Sequence, residues 1–329
     1  MFPTRQFKIF SRCYLLYKQI IPPRKITTSV CFNKRKDDVY IQRMAQRFEN
    51  CQKIFPHYDY PLRMDPKYKV AIITGGETGI GLAAASDLLA NEAQTVVLAG
   101  VCEGEVAVKK LNEDYGQGRA CFMHMDVNDP RDFEELFYRV NLVYGGIDIV
   151  FNNAGILQDH VWEFEVDTNL KSVIRGTLLG LDYMGKNGRG KRKGDGIIIN
   201  HSDTMALEGL PYAPAYSATK AGIIGATLSF GAKYHYNHTG VRVVGLLSGP
   251  TKTDIIQMAG EKQLEPEWGR LLVAYLSEPP PQSATVAGRA VTYLVKYATP
   301  GSLWTIDRGE LSITKIPKRR DLNTKVTQL

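Results

Sequence analysis

The feature that most constrains the fold is an alternation that begins at Lys67. Short, unbroken apolar runs follow one another, each separated from the next by a longer segment of helical character. The runs are "KVAIIT" (69–74), "TVVLAG" (95–100), "ACFMHMDV" (120–127), "IDIVFNNAG" (147–155), "GIIINHS" (196–202), "VRVVGLLSGP" (241–250) and "SLWTIDRG" (302–309). A strand with one wet face alternates apolar and polar residues. An unbroken run needs cover on both faces, which parallel sheets obtain from crossover helices. The segments between the runs supply those helices. One of them, 129–145, opens with Asp129 as a cap and Pro130 in the first turn. Another is expected to run unbroken from Tyr216 to Asn237. The expectation is a single α/β domain over residues 67–312: a doubly wound (Rossmann), mostly parallel, seven-stranded sheet. Residues 1–66 form an N-terminal extension and 313–329 a basic tail.

Charge separates the extension from the domain. Residues 1–36 hold nine Lys or Arg and no Asp or Glu, so the rest of the chain, despite a whole-chain charge of +7, is slightly acidic. A nucleic-acid-binding domain would carry its basic face on the fold itself, so no nucleic-acid partner is expected. As a helix, the leader places Phe7, Phe10, Tyr14, Tyr17 and Ile21 on one stripe and Arg5, Lys8 and Arg12 on another. That pattern suits a mitochondrial targeting peptide, and equally an untargeted extension of a cytoplasmic protein. No apolar run is long enough for a membrane span. The five cysteines are odd in number and widely spaced, with no C-x-x-C, which suits a reduced compartment. Cys102 and Cys121 are expected to be buried, inert thiols. The Gly/Lys-rich run 185–196 is expected to be a solvated loop. His235 and His238 lie three apart, but no third ligand accompanies them, so no metal is expected.

Between the first run and its helix lies "TGGETGIG" (74–81). Glycines there let the backbone approach a pyrophosphate closely, and the helix N-terminus favours the anion. The spacing, Gly75, Gly79 and Gly81 with Ile80 between the last two, is G-x-x-x-G-x-G rather than the common G-x-G-x-x-G. Much further on, Tyr216 and Lys220 stand at i and i+4, so on a helix they share one face. A phenol is a poor base at neutral pH, and an ammonium beside it favours the phenolate.

"TGGETGIG", "NNAG" (152–155) and "YSATK" (216–220), in this order and spacing, resemble the short-chain dehydrogenase/reductase family over residues 67–312. "NLKSVIRGTLLGLDYMGK" and "GIIIN" are similar to its branch of hydroxyprostaglandin dehydrogenases and insect alcohol dehydrogenases. The resemblance implies an oxidoreductase that interconverts a secondary alcohol and its ketone with NAD, NADP being left open. It implies Tyr216 as general acid/base and Lys220 as its partner and a holder of the nicotinamide ribose, with Asn169 as a proton relay. Gly75, Gly79, Ile80 and Gly81 would then hold the pyrophosphate, Asp126 and Val127 the adenine, and Asn153, Ala154 and Gly155 the supporting turn. Thr251 and Thr253 would reach the carboxamide or phosphate. A homodimer or homotetramer is implied too, formed by two helices that offer Leu178, Leu179, Leu181, Ile223, Ile224 and Leu228.

Three positions depart from the family pattern. The serine that polarises the substrate, thirteen residues before the tyrosine, is Asp203. Ser202 precedes it and serves only if the strand end bulges, because a one-residue slip turns a side chain to the other face. The acid expected at the end of the second strand, for the ribose 2′-hydroxyl, is Gly100, and the Pro-Gly after the sixth strand is Ser248-Gly249. These departures give a second reading: a cofactor-binding scaffold or sensor with little catalysis. His201 is expected to be a packing residue.

Overall fold

The computed structural model describes residues 61–317, which fall within one compact unit. The leader and Cys13, Cys31 and Cys51 lie outside the described residues. The elements, in chain order, are β1 (Val70–Thr74), α1 (Gly79–Ala90), β2 (Thr95–Gly100), α2 (Glu105–Tyr115), β3 (Ala120–His124), α3 (Pro130–Tyr144) and β4 (Ile149–Asn152). Then follow α4 (Trp162–Val166), a π-turn (Asp167–Lys171), α5 (Ser172–Met184), β5 (Ile197–Asp203), α6 (Met205–Glu208), α7 (Pro214–Phe230), α8 (Lys233–Thr239) and β6 (Arg242–Ser248). The chain closes with β7 (Thr251–Lys252), α9 (Asp254–Met258), α10 (Pro266–Ser277), β8 (Gln282–Ser283), α11 (Ala284–Tyr297), β9 (Leu303–Asp307) and β10 (Glu310–Thr314).

The main sheet has the order β3-β2-β1-β4-β5-β6-β9-β10. Every pair is parallel except β9 with β10. All residues of β1, β2, β4, β5 and β6 are buried, as the unbroken runs require. The strand order reverses between β1 and β4, which opens a crevice at their carboxyl ends. Helix α3 begins as its sequence signals, with the Asp129 side chain accepting from the Arg131 amide at 2.7 Å and Pro130 in the first turn. Helices α1 and α11 approach closely because Gly288 offers no side chain: a Cβ there would stand 2.7 Å from the Ala84 nitrogen.

The strand β10 was not expected. It pairs antiparallel through a turn in which Arg308 (φ +46°) and Gly309 (φ +84°) are both left-handed, as a tight hairpin requires. As an edge strand it buries Leu311 and leaves Ile313 exposed, so it lacks the unbroken apolar run that marks the others. The segment 216–237 is not one helix either. It breaks at Ala232, whose ψ of 148° leaves the helical region, one residue after Gly231, where a Cβ would come within 2.5 Å of the Gly301 backbone. The loop 185–196 is pinned rather than merely solvated. Arg192 pairs with the buried Asp148 and donates to Gln94 Oε1 at 3.0 Å, while Arg189 bridges Glu134 at 2.8 Å and Asp182 at 2.5 Å. Asp148 also accepts from the Val70 amide at 2.8 Å, so the loop anchors the start of β1.

Candidate active site

A cavity of about 420 Å³ occupies the crevice. One end is walled by the loop after β1 and the ends of β2 and β3, and the other by β5, α7 and the segment after β6.

At the first end, the loop between β1 and α1 takes the conformation its glycines allow. Gly75 (φ +59°) and Gly79 (φ +52°) are left-handed. A Cβ on Gly81 would stand 2.9 Å from the Gly76 Cα and 2.7 Å from the Asn153 side chain, so backbone fills that space. The loop is braced by the turn after β4. Asn153 Nδ2 donates to the Thr74 and Gly75 carbonyls at 3.0 and 2.9 Å, and the amides of Asn153 and Ala154 donate to Thr74 Oγ1 at 3.0 and 3.1 Å. Thr78, at the N-cap of α1, makes no side-chain cap, so the first amides of the helix keep their capacity for an anion. This cradle fits a dinucleotide pyrophosphate. Gly75, Gly79, Ile80, Asp126, Val127, Asn153, Ala154, Gly155, Thr251 and Thr253 all line the cavity. Gly81 does not; it packs behind the loop. Cys102 also lines it and is exposed, against expectation, because it follows the last residue of β2 rather than lying in the sheet. Cys121 is half-buried, and its sulfur accepts from the Tyr144 hydroxyl at 3.2 Å.

At the second end, α7 starts at Pro214, and its first amides are held by a buried acid. Asp159 accepts from the amides of Ala215 and Tyr216 at 2.8 and 3.1 Å. This fixes the turn that carries Tyr216. One turn on, the Lys220 ammonium lies 5.4 Å from the centre of the Tyr216 ring and donates to the His201 carbonyl at 3.2 Å. Asn169 sits in the π-turn, an irregularity frequent at functional sites. Its amide donates to the Ile156 carbonyl at 2.8 Å and accepts from the Ile156 amide at 2.8 Å, and it also donates to Thr219 on α7 at 3.3 Å. Asn169 does not line the cavity. It stands behind the wall and joins the turn after β4 to the helix of Tyr216.

The pairing of β5 with β6 is regular through its last residue, Asp203 opposite Ser248, with no bulge. Alternation therefore sends His201 and Asp203 into the cavity and Ser202 to the other face, where its hydroxyl donates to the Lys220 carbonyl at 2.8 Å. Asp203 is 5% exposed, and the Tyr216 hydroxyl and the amides of Met205 and Ala206 face its carboxylate without completing a well-formed hydrogen bond to either oxygen. Burial raises its pKa, against the opposing pull of Lys220, the Tyr216 hydroxyl and the amides of Met205 and Ala206. Burial also raises Tyr216 well above the usual phenol value, and the nearby Asp203 and Glu165 add to that; burial lowers Lys220, which the same two carboxylates oppose. Glu165 is itself pushed up to about 8, chiefly by burial. Its Oε1 accepts from the Gln158 amide at 2.7 Å and its Oε2 has no partner.

His201 is a bridge rather than a packing residue. Its Nδ1 meets Asn153 Oδ1 at 3.0 Å and its Nε2 meets Ser248 Oγ at 2.9 Å. Asn153 already donates its amide hydrogens to two carbonyls, so its oxygen accepts, Nδ1 carries the proton, and Nε2 accepts from Ser248. Burial, with Lys220 nearby, lowers the pKa of His201 well below its ordinary value and keeps the ring neutral. His201 and Ser248 thus complement each other across the β5–β6 pair. Sequence reasoning missed this bridge, the buried acids Asp159 and Glu165, and Glu77. No local signal marked the bridge, because it depends on the ends of β5 and β6 meeting the turn after β4.

The fold and the braced loop define a doubly wound domain of the dinucleotide-binding class. A family profile described as short chain dehydrogenase matches residues 69–264, and the chain belongs to that family. Among curated proteins, it is 37% identical to the NAD(+) 15-hydroxyprostaglandin dehydrogenase of Homo sapiens over 190 residues, 57% of this chain and 70% of that one. It is 29% identical to alcohol dehydrogenase 2 of Ceratitis rosa over 244 residues, 74% of this chain and 93% of that one. A dehydrogenase/reductase of known structure from Sinorhizobium meliloti 1021 shares the fold with a TM-score of 0.60 at 23% identity, covering 74% of this chain and 95% of that one.

Proposed function

We propose that the chain interconverts a secondary alcohol and its ketone with NAD, the substrate lying against Tyr216 in the apolar half of the cavity. The observation that carries this reading is the Tyr216–Lys220 pair, held on one face of α7 and turned into the cavity that the glycine loop walls at its other end. The names of the relatives, hydroxyprostaglandin and alcohol dehydrogenases, support it. A bound nicotinamide would supply the hydride acceptor. Tyr216 takes the alcohol proton at its hydroxyl oxygen and returns it in the reverse direction. Lys220, fixed by the His201 carbonyl, favours the phenolate by its charge. Asn169 positions the Tyr216 helix against the turn after β4. Asp203, whose pKa burial raises, donates in its protonated form to the substrate oxygen in place of a serine, since a neutral carboxylic acid can act as a donor. Leu157, Met205 and Leu276 form an apolar cluster against which the Tyr216 ring packs, which favours an apolar substrate.

Cofactor-dependent turnover against a panel of secondary alcohols and ketones tests the proposal. The carboxylate of Asp203, which lacks a well-formed hydrogen bond, favours one other reading, a cofactor-binding protein without catalysis. Tight NADH binding with no turnover of any panel member selects that reading, and absence of both binding and turnover rejects the two together. We further propose that the chain self-associates through α5 and α7, where Leu178 and Leu228 are exposed and Gly225 is open, although Ile223 and Ile224 are buried within the chain itself. Sedimentation at micromolar concentration decides this. No helix among the described residues is long and apolar enough to cross a membrane. The choice between cytoplasm and mitochondrion rests on the leader, and a reporter fused to residues 1–36 resolves it.

A further inference from the structure

Gly100 ends β2, where dinucleotide-binding folds carry an acid for the adenosine ribose, roughly 20 residues after the glycine loop. With glycine there, the strand supplies no carboxylate. The space is nevertheless taken by one. A Cβ built on Gly100 would stand 2.6 Å from Cδ of Glu77, so the Glu77 carboxylate lies where a side chain of residue 100 would begin.

Glu77 comes from the glycine loop itself. β1 and β2 are neighbours with Thr74 opposite Ala99, and the Gly75 amide donates to the Ala99 carbonyl at 2.7 Å. This bond lays the loop across the end of β2 and brings residue 77 over residue 100. Glu77 is 8% exposed and lines the cavity beside Gly100, Val101 and Cys102, and its Oε2 has no hydrogen-bond partner. A carboxylate oxygen buried without a partner is costly unless something bound there donates to it. The surroundings also say what cannot bind. Among the described residues that line the cavity, the one Lys or Arg is Lys220, and it sits at the Tyr216 end. A 2′-phosphate next to Glu77 would meet a negative charge and no cation.

We propose that Glu77 is the ribose-binding acid of this chain: it accepts from the adenosine ribose hydroxyls in place of the acid absent at position 100, and it selects NAD over NADP. The assignment rests on the dehydrogenase reading above. It answers the absence of an acid at Gly100, since the acid arrives from the preceding loop. Gly100 then has a reason of its own, because a longer residue would push Glu77 aside.

The test is equilibrium binding of NADH and NADPH to the full chain, measured by nucleotide fluorescence, with thermal midpoints recorded to confirm folding. The wild-type protein is expected to bind NADH at least tenfold more tightly than NADPH. Glu77→Ala should weaken NADH by about tenfold, the worth of a hydrogen bond to a charged acceptor, and leave NADPH equal or tighter. Glu77→Gln, which keeps the shape and removes the charge, should relieve the discrimination against NADPH. Glu77→Ala combined with Gly100→Asp should recover most of the NADH affinity, because the acid returns to the same place from β2. Tight NADH binding whose ratio to NADPH is unchanged by both Glu77 substitutions would overturn the assignment alone. If neither nucleotide binds the wild-type chain, the assignment and the dehydrogenase reading fall together.

Discussion

Replacing Asp203 by serine is the most informative single change. The carboxyl group is buried, lies in the cavity beside Tyr216 and Lys220, and has no well-formed hydrogen bond to either oxygen. Asp203→Ser should have three effects. It supplies a neutral donor at all pH values, and a donor to the substrate oxygen is worth on the order of 10²–10³ in rate. The protonated acid already provides part of this, so we expect a rise in kcat of about tenfold near neutral pH, growing as the pH rises and the wild-type acid ionises. It removes a negative charge that raises Tyr216, so the rise of activity with pH should move toward lower pH. It also removes an unsatisfied buried acid, worth about 2 kcal/mol, or roughly 4–8 °C in the thermal midpoint of a domain of this size. The sign with pH follows from linkage. The folded pKa of Asp203 is raised, so its contribution to stability is fully present below the unfolded value and is lost as pH rises through the folded value. The stability gap between variant and wild type should therefore widen from acid to alkaline pH. Glu165, whose pKa is also raised, is present in both proteins and largely cancels in the difference. Steady-state kinetics and thermal melts from pH 5 to 9 measure all of this. An unchanged rate profile together with an unchanged melting gap would refute the view of Asp203 as an uncompensated acid. Loss of activity with intact folding would show that its carboxyl group takes part in the chemistry itself.

Other substitutions test the remaining parts of the site. Gly81→Ala puts a methyl group against the Gly76 backbone and the Asn153 side chain and should abolish dinucleotide binding while costing about 1–3 kcal/mol of stability; unchanged NADH affinity by titration would contradict the close-packed loop. His201→Phe strips Asn153 Oδ1 and Ser248 Oγ of their partner and should cost about 1–3 kcal/mol. Because the folded pKa of His201 is lowered, its contribution is present above the unfolded value near 6.5 and is lost as pH falls, so the wild-type midpoint should drop more steeply than that of the variant below pH 6. Asn169→Ala leaves both polar groups of the Ile156 backbone short of a partner and should lower kcat more than it raises KM, which steady-state kinetics can separate. Leu276→Ala, in the cluster that packs against Tyr216, should destabilise the domain by about 2–5 kcal/mol in chemical denaturation.

The strand and helix order of the domain was legible in the sequence because burial on both faces leaves a local mark. Unbroken runs such as 69–74 and 196–202 cannot be half-wet strands, and the glycines at 75, 79 and 81 mark where backbone must come close. The Tyr216–Lys220 pair was legible for the same reason, since i and i+4 spacing on one helix needs no knowledge of the rest of the fold. What the sequence left open were relations across the fold. Whether Ser202 or Asp203 enters the cavity depends on a β5–β6 register that stays regular to its last pair. That His201 joins Asn153 to Ser248 depends on three strand ends meeting at one place. Gly100 read alone is a missing acid, and only the crossing of the β1 loop over β2 shows a carboxylate standing there. Local patterns record which face of an element is dry. Which side chain fills a given space is decided by residues far apart in the chain, and only their packing reveals it.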